Sequence, residues 1–513
     1  MMRKRRLLAL FLAFSLGVGA LSACGDKGDK GSSIQNPDTS VQTPDASSGG
    51  SSNGSGEHEH VFSEEWSGNS SYHWHACTVE GCTEKESFVK HSGEALVCNS
   101  KAICSTCGRE YGKEVGHTYG ALQELEGGVK GFGCEKCDAY LPLVTTETEE
   151  GVLDFCVEVE AGRDPVILQL SDTQFMDMNG ENKCYKYVRE TVAETNPDLI
   201  LITGDLVYGR FDKDGAIFLD FIEFMETLNT PWAPVFGNHD NECWLGVDWQ
   251  CEQLEAAENC LFKQGNVTGN GNYTVGVMQG NKLLRAFYMM DSNGCSSPRV
   301  YGNGEDVEKN MESTPGKNLV KTSAGFDGNQ VTWFTNSIKE LKEVVPDVKI
   351  SFAYHIQQAY FVKAYEQYGY NGQLKEGSSS ELKNPLNFDT MEDAKEGDIG
   401  YLSRTMKGPW DTSFSVFATM KNLGVDSIFV GHEHCNSASV VFNGVRFQFG
   451  QKSSTYDRYN ALTSQGEIIG DYDPEGTPLI GGTAFYLSQE DGAIINPYIY
   501  LYGDPLGMNP KKA

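Results

Sequence analysis

Beyond residue 146 the chain alternates two textures: short apolar, β-rich runs, and longer stretches whose apolar positions recur at helical spacing. The runs are 165–170 (PVILQL), 199–202 (LILI), 232–236 (WAPVF), 348–354 (VKISFAY) and 427–430 (SIFV), and helical patterns fill 181–195, 216–228 and 329–344. Each run ends abruptly in a polar cluster. The alternation predicts an α/β fold, in which ligands collect beyond the carboxyl ends of the strands. The clusters, far apart in sequence, are therefore expected to meet in space.

The beginning of the chain reads differently. A basic start, MMRKRR, leads into an almost wholly apolar run from Leu7 to Ala23, the layout of a signal segment. The run is shorter than the ~20 residues a spanning helix needs, and no later stretch is long and apolar enough to cross a bilayer. It ends in Leu21-Ser22-Ala23-Cys24, which resembles the lipobox of bacterial lipoproteins and implies lipidation at Cys24; a general secretory signal is the alternative. Residues 25–57 are small and polar, cannot offset their ordering entropy by burial, and are expected to be a flexible tether. The expected organisation is a signal segment at 1–24, a linker at 25–57, a Cys/His-rich module at 58–140 and a large domain at 146–513. The protein is expected on the outer face of the cell membrane, held by a lipid.

Within the module, His73, His75, Cys77, Cys82 and His91 read as one group, followed by Cys98, Cys104, Cys107 and His117, and then by Cys134 and Cys137. The two-residue gaps between Cys104 and Cys107 and between Cys134 and Cys137 let both thiolates face one tetrahedral zinc ion. An exported chain also meets oxidants, so a disulfide framework is the competing reading. The interleaved histidines favour structural zinc, because disulfides need none. The stretch resembles small Cys/His-rich repeats of surface proteins in Gram-positive anaerobes, which implies a structural or binding module rather than a catalyst.

With 41 basic and 71 acidic side chains the net charge is −30, which opposes nucleic-acid binding. An anionic ligand would need concentrated local positive charge, and bound metal ions supply it compactly. The strand-end clusters have the donors for that: Asp172 and Gln174, then Gly204-Asp205, then Gly237-Asn238-His239-Asp240, then His355, then Gly431-His432-Glu433-His434. Residues 146–513 contain four histidines, and all four lie in these clusters. Carboxylate, imidazole and amide donors together suit manganese, iron or zinc rather than calcium.

In that order these motifs are similar to the signature of the calcineurin-like metallophosphoesterase superfamily. The resemblance implies a four-layer sandwich of two mixed β-sheets flanked by helices, and hydrolysis of a phosphate ester by attack of a metal-bridging hydroxide. It also implies that Asp205 bridges two metal ions, that Asn238, His355 and His432 complete one site, and that Asp172 and His434 hold the other. His239, steered by Asp240, would act as the general acid that protonates the leaving alkoxide.

One position departs from the pattern. Most of the superfamily has histidine two residues after the first aspartate, where this chain has Gln174, a weaker ligand. Purple acid phosphatases, a branch of the superfamily, also lack that histidine and use a tyrosine three residues after the bridging aspartate, the spacing of Tyr208. Either Tyr208 completes the first site and favours ferric iron, on which a phenol ionises readily, or it packs beside the site. Segment 295–325 and the long segment between His355 and Gly431, with its polar stretch 377–400, are expected to border the substrate, while most of Tyr360, Phe361, Tyr365, Tyr368 and Tyr370, with Gln330 and Trp333, are expected to pack. The partner is expected to be a phosphorylated small molecule or surface substrate. The competing class is a non-catalytic surface lipoprotein that binds a phosphorylated ligand through a degraded first metal site.

Overall fold

All five apolar runs become strands, at Val166–Leu170, Leu199–Ile202, Trp232–Pro234, Lys349–Ala353 and Val425–Val430. The computed structural model describes residues 58–95, 97–125, 128–176, 183–294, 323–469 and 476–510; the expected signal segment, Cys24, the linker and residues 295–322 lie outside these. The three helical patterns appear as helices Lys183–Thr195, Ala216–Glu226 and Gly328–Val344. The last is capped by a reciprocal box in which Asp327 and Gln330 satisfy each other's backbone N–H groups.

The strands assemble into two mixed sheets. Five strands run in the order Trp232–Pro234, Leu199–Ile202, Val166–Leu170, Gly481–Leu487, Ile494–Leu501, the first three mutually parallel and the last two antiparallel additions. Seven run in the order Ser439–Phe442, Val445–Phe449, Val425–Val430, Lys349–Ala353, Lys282–Met289, Tyr273–Gln279, Phe155–Glu158. The period-2 alternation of strand side chains fixes what each face meets. Phe287, Met289, Ala353 and Phe429 join the core shared with the five-stranded sheet, where Phe429 stacks on Phe485 at 5.0 Å between ring centroids. Their neighbours Ala286, Tyr288, Ile350, Phe352 and Ile428 turn the other way, onto Phe334, Ile338 and Leu341 of helix Gly328–Val344 and Phe417 and Met420 of helix Ser415–Asn422. Helices Lys183–Thr195 and Ala216–Glu226 cover the five-stranded sheet through residues such as Val188 and Phe221. The result is the expected layering of two mixed sheets flanked by helices.

Among the described residues, one compact unit comprises 58–65 and His75–Glu86, and a second comprises Trp66–Trp74 with everything from Ser87 onward. In the second unit, the strands Tyr119–Glu124, Lys130–Cys134 and Tyr140–Pro142 form a small antiparallel sheet. Its Phe132 is fully buried in the same core as Leu153, Leu283 and Phe334. No described helix is long and apolar enough to cross a membrane.

Candidate metal centre

The parallel strands end where the polar clusters begin, and the backbone there turns sharply. Asp172, Gln174, Asp205 and His432 have φ of 52°, 45°, 53° and 70°, a left-handed conformation that costs non-glycine residues roughly 1–3 kcal/mol each and concentrates at functional sites. Two glycines make room. A Cβ on Gly204 would lie 2.5 Å from His355 Nδ1, and one on Gly237 would lie 2.2 Å from Asp205 Oδ1.

Six predicted ligands converge. Asp172, Asp205 and His434 present ligand atoms within 4.8 Å of one another. His434 Nε2 is 3.1 Å from Asp172 Oδ1, and His355 Nε2 is 3.3 Å from Asp205 Oδ2. Asn238 Oδ1 sits 3.2 Å from His355 Nε2 and 2.9 Å from His432 Nδ1. His355 Nδ1 donates to the Thr203 carbonyl at 2.7 Å, which directs Nε2 toward the Asn238 and Asp205 oxygens. That nitrogen faces acceptors only, so either a proton or a cation must sit among them.

The charge states agree with a cation-binding site. Burial holds the His432 imidazole near 3, neutral and available as a ligand. Burial also works against charge on His355, but the Asp205 and Asp172 carboxylates outweigh it and lift that ring to about 9. Asp172 is held at about 2: burial opposes its ionisation, but His434 and His355 favour it more.

Two predicted arrangements are corrected. The ring of His239 is held by Glu242, whose Oε2 is 3.0 Å from Nδ1, and not by Asp240. The Asp240 carboxylate instead accepts the backbone N–H groups of Gly237, Leu206 and Val207 at 2.8, 2.9 and 3.1 Å, tying together the loops that carry Asp205 and Asn238. His75 belongs to none of the Cys/His clusters among the described residues. Cys77 and Cys82 group with His58 and His60, His91 with His73, Cys104 and Cys107, and Cys98 with His117, Cys134 and Cys137.

Gln174 and Tyr208 are both engaged by neighbours. Gln174 Nε2 donates to Asp205 Oδ2 at 3.2 Å, and its Oε1 accepts from Lys452 Nζ at 2.8 Å. Lys452 is fully buried and also donates to the Asp172 carbonyl. Tyr208 donates to Asp457 Oδ2 at 2.9 Å, and the same oxygen lies 3.4 Å from His434 Nδ1, so Asp457 can orient that imidazole with Nε2 toward Asp172. Burial, then Asp457, push the Tyr208 phenol well above its ordinary range.

The cluster opens into a cavity of about 380 Å³ whose wall also carries Arg210, Arg404, Lys407 and Arg458. In a chain of net charge −30, four basic groups at one cavity point to an anionic ligand. Lys452, Asp457, Glu242 and these basic residues were not singled out by the sequence. Gln330 is core, as expected, donating to Asn272 Oδ1 and to the Asp291 carbonyl. Phe361 and Tyr365 are likewise fully buried.

Comparison with known proteins gives the following. The family model described as Calcineurin-like phosphoesterase matches residues 165–436. The phosphatase DCR2 of Saccharomyces cerevisiae is 26% identical over 266 residues, which is 50% of this chain and 39% of that protein. Probable inactive purple acid phosphatase 29 of Arabidopsis thaliana is 23% identical over 286 residues, 52% of this chain and 61% of that protein. The chain thus spans less than two thirds of either relative. Among solved structures, a dimetal phosphatase from Danio rerio aligns with 66% of this chain and 99% of its own at 9% identity and a TM-score of 0.38. The purple acid phosphatase PPD1 from yellow lupin (Lupinus luteus) seeds aligns with 82% of this chain and 68% of its own at 11% identity and a TM-score of 0.28.

Proposed function

Because the chain belongs to the calcineurin-like phosphoesterase family, we propose that it hydrolyses a phosphate ester at the cavity bounded by Asp205, His239 and His434. The observation that carries this reading is the meeting of oxygen and imidazole acceptors from five strand ends, with four basic side chains on the same cavity. Asn238, His355 and His432 with Asp205 would hold one metal ion, and Asp172 and His434 with Asp205 a second. Divalent cations bound there supply Lewis acidity toward the phosphoryl oxygens and activate water.

The chain's own residues account for the remaining steps. Arg404, Lys407 and Arg458 draw the anionic group into the cavity. His239 lines the same cavity, and its backbone N–H is anchored on Asp205 Oδ1 at 2.8 Å. Burial disfavours charge on the His239 ring, but Asp205 and Glu242 outweigh it and raise its pKa above the ordinary value. That shift favours the protonated ring, the form that could hand a proton to a departing alkoxide.

The test is a panel of phosphomonoesters and phosphodiesters offered to the full chain with manganese, iron or zinc. We expect metal-dependent turnover that is lost in Asp205→Asn and His355→Ala. A second reading, a phospho-ligand binder, is favoured by the engagement of Gln174 by Lys452 and accords with the name of the Arabidopsis relative. Phosphate binding without turnover of any ester, at full metal content, would establish it instead. We extend the proposal to location: the apolar run ending at Cys24 exports the chain and leaves it lipid-anchored on the outer face. Labelling with a fatty acid analogue is expected for the native chain and not for Cys24→Ala; an unlabelled native chain would exclude the anchor, and labelling that persists in the variant would exclude Cys24 as its site.

A further inference from the structure

The seven cysteines between residues 58 and 140 are an odd number, so disulfides within the module cannot use them all, and none of the seven is in a disulfide. They fall into three clusters, each completed by histidine: Cys77 and Cys82 with His58 and His60; Cys104 and Cys107 with His73 and His91; Cys98, Cys134 and Cys137 with His117. Seven cysteines and five histidines are used, and every cluster has four donors.

The spacings match a common centre. With zinc–sulfur and zinc–nitrogen bonds of about 2.3 and 2.0 Å, a tetrahedral ion separates sulfur from nitrogen by about 3.5 Å, two nitrogens by about 3.3 Å and two sulfurs by about 3.8 Å. In the first cluster His60 Nδ1 lies 3.6 Å from Cys77 Sγ and 3.4 Å from Cys82 Sγ, and His58 Nε2 lies 4.0 Å from Cys77 Sγ. In the second, Cys104 Sγ is 3.6 Å from His73 Nδ1, Cys107 Sγ is 3.5 Å from His91 Nδ1, and the two Nδ1 atoms are 3.2 Å apart. In the third, Cys137 Sγ is 3.4 Å from His117 Nδ1, and Cys98 and Cys134 Sγ are 3.5 Å apart, far beyond a disulfide bond of about 2.0 Å. The second cluster also fixes a tautomer. His91 Nε2 lies 2.9 Å from the Asn69 carbonyl and donates to it, leaving the Nδ1 lone pair aimed at the cluster centre.

We propose that residues 58–137 hold three zinc ions, two in Cys2His2 and one in Cys3His coordination. Four protein donors close each site and leave no position for substrate, so the ions act structurally. The stretch needs them: among described residues 58–140 the buried side chains are His73, His91, Cys104 and Phe132, three of them ligands. Phe132 packs into the core of the large domain, so the stretch has almost no apolar core of its own, and metal binding supplies folding free energy in its place. The ligands interleave in sequence. His73 falls between His60 and Cys77 of the first cluster, and Cys98 between His91 and Cys104 of the second. On binding, each Zn²⁺ displaces the thiol protons of its own cysteines, seven in all, with no change of oxidation state.

The test separates these ions from any at the strand-end centre, which has no thiolate donor. The purified full chain is titrated with a mercurial thiol reagent while released zinc is followed with a chromogenic chelator. Three zinc ions per chain released as the thiols react supports the proposal. Fewer than three, or a disulfide mapped by peptide mass to any of these seven cysteines, overturns it. Cys82→Ser, Cys107→Ser and Cys137→Ser are each expected to lower the thiol-releasable zinc by one, while His75→Ala leaves it at three. Loss of zinc in His75→Ala would refute the assignment of ligands. Should the serine variants fail to fold, the count on the unaltered chain still decides the matter.

Discussion

At the scale of single residues, the positions that decide the chemistry are those whose partners the sequence did not announce. His239 is held by Glu242, three residues on, and lines the cavity beside the proposed metal ligands. If it donates the proton to the leaving group, replacing it matters in proportion to how much the departing oxygen needs one. His239→Gln is therefore expected to lower kcat by about 10²–10⁴ on alkyl phosphates and much less on nitrophenyl phosphate, whose phenolate leaves unaided; steady-state kinetics on both substrates would show the split. Tyr208 has a different prospect. Its hydroxyl is committed to Asp457, so the iron-loaded protein is expected to be colourless. Tyr208→Phe is expected to leave the visible spectrum and the metal content unchanged. The six metal-ligand candidates were legible because their residue types stand at strand ends. Lys452 was not, since nothing local marks a lysine that reaches the Asp172 carbonyl from 280 positions away.

The strand-end loops form the next scale, and Asp240 shows how they act as a unit. One carboxylate accepts three backbone N–H groups, two from the loop after Leu199–Ile202 and one from the loop after Trp232–Pro234. Asp240→Ala would leave these buried donors without that acceptor, at about 1–3 kcal/mol for each one left unpaired. A loss of roughly 3 kcal/mol or more is expected in denaturant unfolding, together with weaker metal retention. The apolar runs and helical periods were readable because burial on both faces makes a strand uniformly apolar. The hairpin Tyr273–Gln279 with Lys282–Met289 was passed over, although Gly280, at φ 61°, and Asn281 mark its turn. In the Cys/His module the ligand types were legible but their grouping was not. Sequence neighbours such as His73 and Cys77 belong to different clusters, a partition that only the folded strands define.

Across the whole molecule the two sheets bring groups from residues 172 to 434 into one largely buried cluster, and its protonation links metal binding to global stability. His355 is completely buried between Asn238 and Asp205 oxygens. With its ring raised to about 9 against an ordinary value near 6.5, the metal-free fold binds a proton that the unfolded chain releases. The sign follows from linkage: this stabilisation is fully present below pH 6.5 and is lost as pH rises through 9. A cation among the same donors displaces that proton, so the metal-loaded protein should lack this pH dependence. Chelated protein is thus expected to lose stability progressively between pH 6.5 and 9, by on the order of a few kcal/mol, while protein reloaded with manganese or zinc stays level over that window. Thermal unfolding of both forms across the range measures the difference. His355→Ala should abolish the slope in the chelated form, whereas parallel slopes in the chelated and reloaded proteins would show that no cation competes for this imidazole.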